Sequence, residues 1–326
     1  MKVIIPLAGK GTRLLPLTKQ VPKPLVTVAG RPVMDYVMDT LAGLDIEELI
    51  FITGHLKEQV EAHVRAHYTQ PARFIEQRVQ DGTAGAIALA RPFVDCPVLI
   101  VFVDTLFDAD LSLVNHADAD GIIWAKEVED YQRFGVVVTD GDGYMTRIVE
   151  KPSDPISRLA NIGLYFMRDW QALYEGVERT LAQAQQNGEW FLTSAFQHMI
   201  DHGRRIKTAE VTGWYDCGKV DTLLETNLHL LRTGRALPPT ASGVTVIEPV
   251  RVEPGARLAR CSIGPNVTIE RDASISDSIL EHVIVGAGAQ VVASTLRHTL
   301  VGAGATVRGQ THERMVVTRD EVGAAP

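Results

Sequence analysis

Through the first hundred residues, short apolar runs alternate with stretches of helical spacing. KVIIPLA, at residues 2–8, predicts a strand. PVMDYVMDTLAGL, at 32–44, has apolar residues at helical intervals and Pro in the first turn. ELIFIT predicts the next strand and residues 55–67 the next helix. ARFIEQ, TAGAIALA and VLIVFVD then predict a strand, a helix and a strand. This alternation predicts an α/β fold with a Rossmann-like, mostly parallel sheet and helices on both faces. Such sheets take ligands at the carboxyl ends of their strands. The Gly-rich loop after Ala8, Gln77 and Asp104 all fall there.

The middle of the chain changes character. FGVVVTDGDGYMTRIVEKP predicts a hairpin turning on DGDG, and NIGLYFM, at 161–167, another strand. Helical spacing returns at 169–186 and 192–202, RIKTAEV predicts a strand, and 220–232 a helix. From about residue 240 the pattern gives way to Gly, Ala and β-branched residues. LARCSIGPNVTI, LEHVIVGAGAQV and LRHTLVGAGATV begin at Leu258, Leu280 and Leu296. Each has Gly six residues after its Leu and an aliphatic residue five further, and the starts lie 22 and 16 residues apart. This predicts a hexapeptide-repeat left-handed β-helix of non-uniform coils, with aliphatic residues inward and Gly at the corners. A Gly/Ala-rich sheet extension is the alternative. The expected domains are 1–238, 239–310 and a loose tail over 311–326.

Composition narrows the function. A chain of 326 residues predicts two domains, and 45% hydrophobic with 22% charged residues is ordinary for a soluble protein. A net charge of -8 argues against general binding to nucleic acid or anionic membranes. Cys96, Cys217 and Cys261 lack metal-ligand spacing, which suits a reducing cytosol. No signal-peptide pattern and no run of 18 apolar residues is present, so a cytoplasmic location is expected.

Against that acidic background, GKGTRLLPLTKQVPKPL at 9–25 gathers positive charge in a flexible stretch. A Gly-rich turn bares backbone N–H groups that can cradle a phosphate, and Arg13 and Lys23 add charge. The spacing is neither a Walker A loop nor a dinucleotide fingerprint. Taken alone, a solvated surface turn explains it equally well.

The stretch resembles the signature of the sugar-1-phosphate nucleotidylyltransferases, or sugar-nucleotide pyrophosphorylases. The resemblance continues in order through about residue 235, in IEQRVQDGTAGAI, VFVDTLF, FGVV with VEKP, NIGLYFM, GEWFLT and WYDCGK. A C-terminal β-helix is also similar to an appendage of many members. The resemblance implies a fold of the nucleotide-diphospho-sugar transferase type and an Mg²⁺-dependent in-line displacement. In it a sugar 1-phosphate attacks the α-phosphorus of a nucleoside triphosphate and pyrophosphate leaves. Such a reaction needs cations and positioning more than a general base, because a phosphate monoester is already largely dianionic at neutral pH.

The resemblance assigns Arg13, Lys23 and Lys151 to the reacting phosphates, and Asp104 and Asp216 to Mg²⁺. It assigns Leu7, Ala8, Gly9, Gly11, Thr12, Gln77, Gly82 and Thr83 to the nucleotide. Gly135, Glu150, Lys151, Asn161 and Glu189 would line the sugar-phosphate side. A Gln side chain offers a donor and an acceptor to a pyrimidine edge, which favours dTTP or UTP, with glucose 1-phosphate as the favoured sugar. The alternatives are a GTP-using mannose-1-phosphate guanylyltransferase, a non-catalytic nucleotide-sugar sensor, or acyl transfer in the β-helix through His282 or His298. Four positions depart from the family pattern: Pro6 and Leu7 before the loop, Val103 before Asp104, and Lys219. A homo-oligomer joined through the β-helix is expected.

Overall fold

The computed structural model describes residues 1–116 and 118–324. Contacts divide it into two compact units. The first comprises Met1–Gly9, Asp39–Val103 and Phe107–Trp214; the second comprises Lys10–Met38, Asp104–Leu106 and Tyr215–Pro326.

The first unit is organised by a mixed, mostly parallel sheet. Its strands run in the order Ala72–Glu76, Glu48–Thr53, Lys2–Pro6, Val98–Val101, Leu159–Met167, Gly121–Glu127, Ile206–Asp216 and Thr105–Ala109. The first four are mutually parallel, as their near-continuous apolar runs predict. Leu159–Met167 runs antiparallel to both neighbours. Gly135–Thr139 and Met145–Glu150 form the expected antiparallel hairpin. Ile4, Ile50, Ile100 and Ile123 meet Tyr165, Leu173 and Phe196 in one buried core. The helix Trp170–Leu181 starts where Asp169 accepts a hydrogen bond from the Ala172 amide at 3.0 Å, an N-cap that satisfies an otherwise orphaned donor.

The second unit contains stacked coils of three-residue strands. Three parallel ladders run up it, through Ile263, Leu280 and Leu296, through Val250, Val267 and Val283, and through Ile275, Val291 and Val307. These side chains are buried together. The architecture is a β-helix, but its phase differs from the repeat read in the sequence. Leu280 pairs with Ile263 and not with Leu258, which faces Ile275 on another ladder. The coils are therefore nearly uniform, stepping by 17 and then 16 residues. Corners fall mostly on non-glycine residues with positive φ, including Asn266, His282, His298 and Arg314. His282 and His298 stack at 4.7 Å with rings 7° from parallel, and Asn266 Nδ2 lies 3.1 Å from His282 Nδ1. The expected loose tail instead carries strands at Thr311–Glu313, Met315–Val317 and Val322–Ala324; residues 325 and 326 lie outside the described residues.

Candidate active site

In the second unit, the basic stretch is built from three single 3₁₀ turns, Thr12–Leu14, Leu17–Lys19 and Lys23–Leu25. Gly11 enters it with φ +64°, and a Cβ there would stand 2.9 Å from Thr18 Cγ2 and 3.1 Å from Lys23 Cβ. Thr18 Oγ1 closes the turn by donating to the Gly11 carbonyl at 2.9 Å. Thr12 and Arg13 follow at once, and Pro22 in extended backbone sets up Lys23.

Lys23 Nζ donates to Asp104 Oδ2 at 2.9 Å. The Cys217 amide donates to the Asp104 carbonyl at 2.9 Å, which makes the backbones carrying Asp104 and Asp216 neighbours. Asp216 accepts from the Gly218 amide at 2.8 Å and from Thr222 Oγ1 at 3.0 Å. A Cβ on Gly218 would meet Asp216 Oδ1 at 2.9 Å, Arg13 Nη2 at 3.2 Å and Lys23 Nζ at 3.4 Å. Two cations and a carboxylate thus converge on a bare α-carbon. Burial pushes the Asp104 carboxyl up, but the charge and hydrogen bond of Lys23, with Arg13 behind them, hold it below the ordinary range. Burial pushes the Cys217 thiol up to about 12, so it stays protonated and is no nucleophile at neutral pH.

Among the described residues no three His, Cys, Asp or Glu side chains form a metal cage. Mg²⁺ typically takes one or two carboxylates together with phosphate oxygens and water. The donor set of Asp104 and Asp216 beside a bare glycine fits that cation, and would hold it jointly with substrate phosphates.

In the first unit, Leu7 and Ala8 are buried. The Leu7 amide donates to Ile52 O at 2.7 Å, and the Ala8 carbonyl accepts from Gln80 Nε2 at 2.7 Å. Gly9 differs: a Cβ on it would meet nothing within 4 Å. Gln77 is buried, and its Nε2 donates to Asp81 Oδ1 at 2.9 Å and to Gly82 O at 3.2 Å. The donor half of its amide is thereby used to shape its own loop. Gly82 has φ +110°, and any Cβ there would collide with the Trp190 carbonyl. Thr83 Oγ1 accepts from the Leu192 amide at 2.9 Å, and the Trp190 amide donates to Asp81 O at 2.7 Å. Residues 190–192 therefore fix the shape of the loop that carries Gln77, Gly82 and Thr83.

A second group in this unit joins Gly135, Glu150, Lys151 and Asn161. Asn161 Nδ2 donates to Gly135 O at 2.7 Å, and Tyr165 Oη donates to Asn161 Oδ1. Thr193 Oγ1 donates to Glu150 Oε2 at 3.2 Å. A Cβ on Gly135 would collide with Asn161 Nδ2 and lie 2.9 Å from Glu150 Oε2, so only glycine leaves these groups in place. Lys151, with φ +44°, holds its ammonium 4.9 Å over the Phe191 ring and 3.9 Å from Glu150 Oε1. Burial raises the Glu150 carboxyl above its ordinary value, outweighing the Lys151 charge. Glu189 lies on an exposed turn bridged to Gln186 through the main chain, near enough that its charge adds to the raising of the Glu150 carboxyl.

Sequence reasoning missed the hydroxyls of Thr193, Tyr165 and Thr222, and the loop roles of Gln80 and Asp81. Thr193 and Asp81 lie inside the motifs GEWFLT and IEQRVQDGTAGAI. The second glycine of that loop motif is a further signal: a Cβ on Gly85 would collide with Asp81 Oδ1. No helix among the described residues is long and apolar enough to cross a membrane.

Residues 2–233 match the family model described as nucleotidyl transferase. The chain is 34% identical over 233 residues to the bifunctional protein GlmU of Methanococcus aeolicus, covering 71% of this chain and 55% of that one. It therefore spans about half the length of that curated relative. It is 31% identical over 294 residues to glucose-1-phosphate thymidylyltransferase of Streptomyces antibioticus, covering 86% of this chain and 81% of the relative. A crystal structure of UDP-glucose pyrophosphorylase complexed with UDP-glucose shares the fold, with a TM-score of 0.63 and 23% identity over 71% of this chain and 98% of that one. A match over residues 2–233 spans most of the chain, and on it the chain belongs to the nucleotidyl transferase family.

Proposed function

We propose that the chain joins a nucleoside triphosphate to a hexose 1-phosphate, releasing pyrophosphate and a nucleotide sugar. The observation that carries this reading is the convergence of Arg13, Lys23 and Asp216 on the bare α-carbon of Gly218. Arg13 would steady the departing pyrophosphate through its planar fork, and Lys23 would offset charge at the attacked phosphorus. Asp104 and Asp216 would hold Mg²⁺, which supplies further neutralisation of the triphosphate. Gly9, Gly11 and Thr12 would present main-chain donors to the phosphates, and Leu7 and Ala8 would meet the nucleoside. Gln77, Gly82 and Thr83 would receive the base. With the Gln77 donor engaged inside its loop, its carbonyl oxygen is the atom offered to a base N–H. An acceptor there suits the N3–H of thymine or uracil, and would equally take the N1–H of guanine, so it favours dTTP or UTP over CTP and ATP, whose matching ring nitrogens carry no proton. The named activity of the Streptomyces relative supports dTTP and glucose 1-phosphate. Lys151 would bind the sugar phosphate, while Glu150, Asn161 and the Gly135 backbone, with Glu189 from its exposed turn, would bind sugar hydroxyls.

The test is a matrix of four nucleoside triphosphates against several sugar 1-phosphates, followed by pyrophosphate release with Mg²⁺. Turnover confined to a pyrimidine nucleotide and lost in Asp104→Ala is the expected result. Inactivity of every pair, with a nucleotide sugar still bound, would replace the enzyme by a sensor.

A further inference from the structure

The end of the chain reverses direction. The paired strands of the coils from Val244 to Val317 run parallel. Val322–Ala324 instead runs antiparallel to Met315–Val317, pairing Val317 with Val322 and Val316 with Gly323. A tight turn makes the reversal: the Thr318 amide donates to Glu321 O at 2.8 Å, and the Glu321 amide returns a bond to Thr318 Oγ1 at 3.2 Å.

The tip of this hairpin meets the basic stretch. Glu321 accepts from Lys19 Nζ, and Asp320 Oδ2 accepts from Gln20 Nε2 at 2.9 Å. The Gly323 backbone passes so close to the loop that a Cβ on it would lie 2.9 Å from Pro16 Cδ. One coil earlier, a Cβ on Gly302 would touch Leu17 Cδ1 at 3.4 Å. Residues 16–20 form the middle of the span, 14–22, that connects Arg13 to Lys23. Single 3₁₀ turns have poorer hydrogen-bond geometry than an α-helix and rarely extend. The span's own main-chain bonds, from Lys19 to Pro16 O at 3.1 Å and from Gln20 to Leu17 O at 3.0 Å, close only a single turn, so contacts from outside also set where it lies.

We infer that the C-terminal hairpin is a positioning clamp for the phosphate-binding segment. Asp320, Glu321 and Gly323 hold residues 16–20, and through them set the separation of Arg13 and Lys23. The inference rests on the reading of those two cations as phosphate ligands. A misplacement of about an ångström at such groups costs on the order of a hundredfold in rate. One exposed ion pair alone is weak, but here it acts together with an amide–carboxylate bond and a backbone contact.

The experiment uses the full chain, an Asp320→Asn/Glu321→Gln double variant, and a chain ending at Thr318. Native tryptic cleavage after Lys10, Arg13 and Lys19 reports the order of the segment without any need for turnover. Its expected rise is about threefold or more in both variants. Steady-state kinetics are expected to show KM for the nucleotide rising about fivefold while KM for the sugar 1-phosphate holds. The reciprocal exchange Lys19→Glu/Glu321→Lys should recover most of what Lys19→Glu alone loses. Unchanged cleavage in both variants would overturn the clamp. So would equal losses for both substrates that follow a lower Tm, which mark a purely structural role. Should no substrate pair turn over in the parent chain, the proposed reaction fails, and the cleavage rates still decide whether the hairpin holds the segment.

Discussion

Lys23 Nζ and Asp104 Oδ2 form an ion pair at 2.9 Å, and its charge and hydrogen bond favour the ionised form of Asp104. The Asp104 carboxyl is held low because Lys23 and Arg13 together outweigh its burial. A depressed carboxylate stabilises the fold above its unfolded pKa, and that contribution is lost as pH falls through the folded value. Lys23→Met removes the chief lowering influence, so Asp104 should titrate at higher pH and the acid limb of the activity profile should move upward. Loss of the cation should also lower kcat/KM by about 10²–10³. Pyrophosphate release measured across pH 4–8 checks both; an unmoved acid limb would separate Asp104 from the titration.

Glu150 predicts the opposite sign. Its folded pKa is raised, chiefly by burial, so the folded state holds a proton that the unfolded state has released. Stability from this group is fully present below the unfolded pKa and is lost as pH rises through the folded one. Glu150→Gln should therefore flatten the fall in Tm over that window, while raising KM for the sugar 1-phosphate. Calorimetry from pH 4 to 7 and initial-rate kinetics give the two readings; a variant whose Tm falls as steeply as the parent's would show that Glu150 is not the group.

Gly82→Ala should be costly. Its φ of +110° is open to few residues but glycine, and a Cβ would strike the Trp190 carbonyl, which cannot move aside without unpicking the Ala84 amide that donates to it at 2.9 Å. We expect a loss of about 2–4 kcal/mol in denaturant unfolding, together with weakened nucleotide binding. A stable variant that binds normally would mean the loop conformation is not fixed by Trp190.

The elements of the first unit were legible because burial on both faces writes continuous apolar runs into central strands, as in Lys2–Pro6 and Val98–Val101. Direction was not written there: the run LANIGLYFM would suit a parallel or an antiparallel strand, and hydrogen bonding alone made it antiparallel. The β-helix was legible as a repeat but not in phase. Three-residue strands on different ladders carry interchangeable aliphatic residues, so Leu258 imitates the position that Ile263 holds. Arg13, Lys23, Asp104 and Asp216, which the fold brings together, stand in ordered motifs, whereas Thr193 and Thr222 act through one hydroxyl each, and a single hydroxyl leaves no periodic trace. The C-terminal hairpin escaped because its fixing contacts, Lys19 with Glu321 and Gln20 with Asp320, join residues some three hundred positions apart.

The two glycines of the GKGT turn should separate stability from binding. Gly11 is required by the chain itself, through φ +64° and the nearness of Thr18 and Lys23. Gly11→Ala should cost about 1–2 kcal/mol of stability from the left-handed backbone alone, with more from the contacts. Gly9 is not required by the chain, since a Cβ there finds open space within 4 Å. Gly9→Ala should leave stability within about 0.5 kcal/mol of the parent. If a triphosphate approaches that backbone, the same methyl should raise the nucleotide Kd about tenfold or more by blocking the main-chain donor. Chemical denaturation paired with titration calorimetry distinguishes them. A Gly9→Ala protein that binds nucleotide as tightly as the parent would remove Gly9 from the phosphate cradle and leave that role to the turn beyond it.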